Sequence, residues 1–233
     1  MTVKKKTAPD WYKINNRDEA PEILIYGFIG PFEEVDFVSF QSAIKNMGNQ
    51  NKSVTVRIHS GGGSVIDGLP IYDSLRTSGM QITTVIEGMA ASMASVLSQA
   101  GDVRKIHESG MIMIHRVKGA EYGNADDLRA YADLVEDREK RIKQIFVSKT
   151  SQTPELVNSW FSKNTDLWID ANEALRLGLV DEIIKDDKQS SPKQSITNIK
   201  KHSEESAFQI LTNSLKQQNP NNPYVTSIKI EGD

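Results

Sequence analysis

Cysteine is absent from the 233 residues, which removes disulfides, thiolate metal sites and cysteine nucleophiles together. No run approaches the roughly 18 apolar residues of a membrane-spanning helix. The first residues pass from lysines straight to Pro9 and Asp10, without the apolar stretch of a signal peptide. The expectation is a soluble protein of the cytoplasm. An excess of charge of one sign is also lacking: 28 basic residues stand against 31 acidic ones, a formal net of −3. Nothing in that balance calls for nucleic acid or an anionic membrane as partner. Histidine is scarce: His59, His107, His115 and His202 are the four in the chain, so a histidine-dependent mechanism must choose among them. Hydrophobic residues make up 38%, and the 15 glycines bring the share to about 44%, just under the usual range of about 45–50%. Such a shortfall fits an ordinary core diluted by a polar segment.

Residues 1–20 are polar and read as a flexible arm. Glu22 to Gly30, an apolar run between Pro21 and Pro31, predicts a strand. Phe37, Phe40, Ile44 and Met47 then share one helical face, with Gly48 to close it. Val54, Val56 and Ile58 alternate with polar residues in a second strand, which ends in Ser60-Gly61-Gly62-Gly63; a helix follows through Val65, Leu69, Tyr72 and Leu75. Ile82 to Ile86 predicts a third strand, running into Gly88 and a small-residue helix from Met89 to Ala100. Met111 to Ile114 is a further strand, ending at His115. Alternation of strand and helix predicts an α/β domain with a largely parallel sheet, whose sites collect where strand ends meet helix starts. From Asn124 to about Ser148, apolar positions trace one long amphipathic helix, opened by the Asn124/Asp127 capping pair and expected to project from the body. Pro154 starts another helix, Asp170 with Glu173 caps a short one that Gly178 closes, and Leu179 to Ile184 predicts a last strand. The domain spans 21–186, and 187–233 reads as a polar, flexible tail for processing or tethering, with one inducible helix at Ala207–Leu215.

Two features fall where a parallel sheet sets them side by side. A glycine triplet between strand and helix lets backbone N–H groups approach another group closely, a phosphate or an oxyanion; the spacing is neither a Walker A loop nor GxGxxG. Ser92, in Gly88-Met89-Ala90-Ala91-Ser92-Met93, lies at a helix start among small neighbours, the exposure a nucleophile needs. The plain alternative is a small-residue helix in which Ser92, Ser95 and Ser98 are fillers. A base must reach such a serine and be oriented by a carboxylate. His115 is the candidate and His59, beside the glycine turn, the rival. Asp166 is a candidate carboxylate that composition alone does not separate from Asp170 or Asp181, although Asp170 is better explained as a helix cap.

In combination, SGGGSVIDGLPIYDSL, GMAASM, MIMIHR and NTDLWIDANEALRLGLVDEII resemble the ClpP family of serine peptidases, in family order and over about residues 22–186. The resemblance implies the ClpP/crotonase-like fold of repeated β-α units with a projecting long helix, the handle. It implies Ser92 as nucleophile, His115 as general base, Asp166 as the residue orienting that histidine, and Gly63 and Met93 as donors of oxyanion-hole N–H groups. It also implies a ring-forming homo-oligomer acting on peptide or protein substrates, with no cofactor or metal. Trp11, the Ile25-Tyr26-Gly27-Phe28-Ile29-Gly30 strand, Gly123-Asn124-Ala125-Asp126-Asp127-Leu128 and Trp168 are more similar to the head-maturation (prohead) proteases of phages and prophages. That branch implies capsid or scaffold proteins as substrate and the host cytoplasm or procapsid as location. The N-terminal segment does not resemble the axial loop that housekeeping members present to their ATPase, so an ATPase partner is not implied. The competing readings are a housekeeping-type subunit working with an ATP-dependent unfoldase, a crotonase-like acyl-CoA enzyme, and a non-catalytic assembly protein on the same fold.

Overall fold

A computed structural model describes residues 12–13 (backbone), 21–31, 33–48, 52–162 and 165–185. The chain divides into Met1–Asp186 and Asp187–Asp233, and the second unit, with His202 and the predicted 207–215 helix, lies outside the described residues, as do Trp11 and most of the arm.

The framework is one sheet. Strands β1 (Tyr12–Lys13), β2 (Glu22–Ile29), β3 (Ser53–Gly63), β4 (Gln81–Ala91), β5 (Val103–His107) and β8 (Glu182–Ile184) lie side by side in that order, with β6 (Met111–Ile114) and β7 (Leu167–Asp170) branching from it. The joins from β2 to β3, β3 to β4, β4 to β5 and β5 to β8 are parallel; β1 pairs antiparallel with β2, and β7 with β6. Helices α1 (Phe37–Gly48), α2 (Val65–Arg76), α3 (Met93–Ser98), α4 (Ala125–Thr150), α5 (Pro154–Trp160) and α6 (Ala171–Arg176) complete the unit. The architecture is α/β with a mostly parallel sheet, as the alternation of patterns predicts.

Period-2 burial explains the strands: Val54, Val56 and Ile58 of β3 are buried while their neighbours are not, and Ile23 and Ile25 do the same in β2. α1 buries Phe40, Ala43, Ile44 and Met47, the expected face. In α4, Asn124 accepts from the Asp126 and Asp127 N–H groups and forms a complete capping box with Asp127. Residues of α4 before Glu139 are not buried, whereas Ile142, Ile145 and Phe146 are, and Phe146 packs edge-on against Trp160 at 5.8 Å. The helix therefore anchors by its second half and projects by its first. Among the described residues no helix is long and apolar enough to cross a membrane.

The strand–helix boundaries need correction. The small-residue run is not helical from Met89: β4 continues to Ala91, and α3 has six residues from Met93. Alanine and methionine favour helix locally, but Met89, Ala90 and Ala91 find ladder partners in Met111, Ile112 and Met113 of β6. The glycine triplet is likewise not a tight turn but the end of β3, with Gly62 opposite Phe28 and Gly63 opposite Ile29. A Cβ on Gly63 would run into the Ile29 carbonyl. β1, which falls within the expected flexible arm, β5 and β7 were not foreseen, and the last strand is only Glu182–Ile184.

Arg104 of β5, buried, ties the far end together: its guanidinium donates to Asp181 Oδ1 at 2.6 Å, Gln99 Oε1 at 2.8 Å and the Lys149 carbonyl at 2.9 Å. Arg104→Met is expected to cost about 2 kcal/mol, because it strips the donor from the buried Gln99 amide and a helix-end carbonyl. Urea unfolding checks this; an unchanged midpoint would contradict it.

Candidate active site

Ser92 is the hinge between β4 and α3, with φ 53° and ψ −123°. A non-glycine residue in such backbone costs on the order of 1–3 kcal/mol and persists only where its surroundings over-determine it. Its N–H donates to the Met113 carbonyl at 2.9 Å, and its carbonyl accepts from the Ser95 N–H at 3.0 Å and the Ser95 hydroxyl at 2.6 Å. The glycine end of β3 leaves room for the turn: a Cβ on Gly62 would lie 2.6 Å from both the Ala91 carbonyl oxygen and Ser92 Cβ. This sharp strand-to-helix turn presents the Ser92 hydroxyl at the top of the sheet. Ser95 and Ser98, by contrast, are buried and bond carbonyls within their own helix; they are fillers and Ser92 is not.

The candidate base is placed by register. Ala91 of β4 pairs with Met113 of β6, so His115, just past the end of β6, falls beside Ser92. His115 Nε2 lies 2.8 Å from Ser92 Oγ. With Nε2 as acceptor the ring proton belongs on Nδ1, which is buried without a hydrogen-bond partner. Burial holds the His115 pKa below the ordinary histidine value, Lys118 lowers it further, and the Asp166 carboxylate opposes both.

Asp166 directly precedes β7, and Leu167 pairs with Ile114, which brings the carboxylate to the His115 side of the sheet. It does not hydrogen-bond the ring: it is exposed, with Oδ1 3.7 Å from Lys118 Nζ. The other aspartates are accounted for elsewhere, Asp170 as the cap accepting from the Glu173 N–H and Asp181 on Arg104. His59 is exposed, edge-on to Tyr26, and takes no part in the Ser92 cavity; His107 ends β5.

A cavity of about 160 Å³ opens at Ser92 and His115, lined also by Gly63 and Met93 and floored by Ile142, Phe146 and Phe161. Met93 is the first residue of its helix, where an N–H has no intrahelical acceptor. Glu139, which the sequence reading passed over, is buried beside this cavity. Its signal was available: spaced four residues after Val135 and three before Ile142, it is a charge on the apolar stripe of α4. Among the described residues no group of three or more His, Asp or Glu is placed to hold a metal ion.

The Clp protease family model matches residues 36–187. Two relatives, each named ATP-dependent Clp protease proteolytic subunit and from different strains of Bacteroides fragilis, are 34% identical over 135 residues, 57% of this chain. The match spans 64% and 60% of those relatives' own lengths, less than two thirds of either.

His115 is expected to titrate below the roughly 6.5 of an unperturbed histidine. The unfolded chain then binds that proton more readily than the native one, so stability contributed by His115 is present above about pH 6.5 and is lost as pH falls through the folded value. An NMR titration of the imidazole, assigned by loss of its signal in His115→Asn, checks this. A midpoint at or above the unperturbed value would contradict it.

Proposed function

We propose, from the premise that the chain belongs to the Clp protease family, that it is a serine endopeptidase with Ser92 as nucleophile and His115 as general base. The observation that carries the reading is the 2.8 Å approach of His115 Nε2 to Ser92 Oγ at a strained strand-to-helix turn. As Oγ attacks the scissile carbonyl carbon, Nε2 takes the hydroxyl proton. The resulting oxyanion is held by the Gly63 and Met93 N–H groups, and the imidazolium returns the proton to the leaving amine. Water, deprotonated by the same ring, then releases the acyl-enzyme. The depressed His115 pKa keeps the ring neutral and ready to accept at neutral pH. Asp166 contributes through its charge, which favours the imidazolium that forms. Ile142, Phe146 and Phe161 on the cavity wall favour an apolar side chain next to the cleaved bond.

The finer reading is a phage or prophage head-maturation protease cleaving capsid or scaffold proteins in the host cytoplasm or procapsid. It is supported by the Ile25–Gly30 strand, the Gly123–Leu128 helix start and Trp168. A homo-oligomeric ring fits the half-length of α4 that leaves Leu128 and Leu134 exposed. A second reading, a proteolytic subunit serving an ATP-dependent unfoldase, is favoured by the names of the Bacteroides relatives.

Hydrolysis of apolar fluorogenic peptides should be lost in Ser92→Ala and fall about a millionfold in His115→Ala, with Asp166→Asn costing less than either. Activity that survives Ser92→Ala would contradict the peptidase reading. Co-expression separates the two roles: processing of a capsid or scaffold protein without ATP supports head maturation, and degradation of folded substrates only with an ATPase supports the second reading.

A further inference from the structure

The strand ladder that carries His115 stops one residue before it. Ile114 pairs with Leu167, and residues 115–124 have no regular structure. Val117 packs against the core and Lys118 pairs with Asp166, and the residues directly after His115 are hydrogen-bonded to the body by one buried side chain of α4. Glu139, 6% exposed, accepts at Oε2 from the Val117 backbone N–H at 3.3 Å and from Arg116 Nε at 3.2 Å; Oε1 accepts from Lys143 Nζ at 2.7 Å. Two of these donors belong to the residues that immediately follow His115. The third lies one turn along α4 and holds the carboxylate from behind. Two cations keep the buried carboxyl below the ordinary glutamate range despite its burial, so it remains an ionised acceptor and the donors remain satisfied. The segment and the helix both line the Ser92 cavity, Arg116, Val117 and Lys118 from the one and Ile142 and Phe146 from the other.

We infer that Glu139 is a positioning residue for the base, clamping the Arg116 side chain and the Val117 backbone N–H to α4 so that the His115 ring stays seated against Ser92. The inference rests on His115 acting as base, as proposed above. It assigns work to a charge that a buried ion pair alone would not need. Replacing a buried pair by apolar groups is often neutral, whereas here the carboxylate also accepts from the Val117 main-chain N–H. The charged groups that face the His115 region are Lys118 and Arg116 on its own segment, Asp166 before β7, and Glu139 with Lys143 on α4.

The test compares Glu139→Ala, Glu139→Gln and Lys143→Met with the wild type by peptide kinetics, thermal unfolding and NMR titration of His115. Releasing the clamp in Glu139→Ala should lower kcat by up to about a hundredfold, the scale of a misplaced catalytic group, with KM nearly unchanged. The His115 midpoint should rise toward the unperturbed value as the ring loses burial. Glu139→Gln keeps an acceptor for the Val117 N–H and should fall between; should the alanine variant fail to fold, this variant reads the same shift. Lys143→Met leaves both bonds from Glu139 to Arg116 and Val117 in place and should lower kcat and shift the His115 midpoint less than Glu139→Ala. A folded Glu139→Ala or Glu139→Gln with wild-type kcat and midpoint would overturn the inference, as would Lys143→Met shifting both as far as Glu139→Ala. If the wild type itself shows no Ser92-dependent turnover, the peptidase reading fails, and the His115 titration still decides the clamp.

Discussion

The hydrogen bond from the Ser92 N–H to the Met113 carbonyl joins the two strands on which the candidate chemistry stands. β4 is long enough to serve two neighbours, Thr83–Ile86 pairing with β5 and Met89–Ala91 with β6. That division opens the sheet where β4 ends and lets β6 turn away to pair with β7. Because side chains alternate along a strand, the register also sets which way His115 points. Ile112 and Ile114 are buried, and Met113 and His115 share the other face. A slip of one residue would bury the imidazole and expose an isoleucine, so the hydrophobic core itself enforces the Ser92–His115 meeting.

The turn at Ser92 is held by its neighbours rather than by its own preference. Its positive φ is maintained by the N–H bond to Met113, by two donors on its carbonyl, and by the close passage of Gly62. The close passage of Gly62 requires that it carry no side chain at the crossing. Met93, just beyond, packs its side chain against Gly68 of α2, so the helix that follows the turn is also seated by a glycine.

Much of this was legible in the chain. The periodicities of β2, β3, α1 and α4 are strong because each buries a single face, and Ser92 and His115 stood out as polar groups at element ends. What was not legible depended on tertiary pairing. Met89–Ala91 are strand only because β6 offers partners. The Gly61–Gly63 run is strand because it lies along β2, and β7 exists only opposite β6. Composition alone did not separate Asp166 from Asp181, although Asp170 was legible as a helix cap; the ion pair of Asp181 with Arg104 sets it apart. Even so, Asp166 reaches His115 through its field and not through a hydrogen bond, since Lys118 lies beside it. Glu139 was hidden among the many charges of α4, although its phase placed it on the buried stripe.

These features converge on one proposal, that Ser92 is a nucleophile activated by a neutral, partly buried His115. The most direct measurement is the site and pH dependence of covalent labelling by a serine-reactive fluorophosphonate, mapped by peptide mass spectrometry. The account predicts a single adduct on Ser92, lost in His115→Asn, with a rate that rises with pH through a midpoint below the unperturbed histidine value. Labelling at another serine, or labelling of Ser92 indifferent to His115, would contradict it.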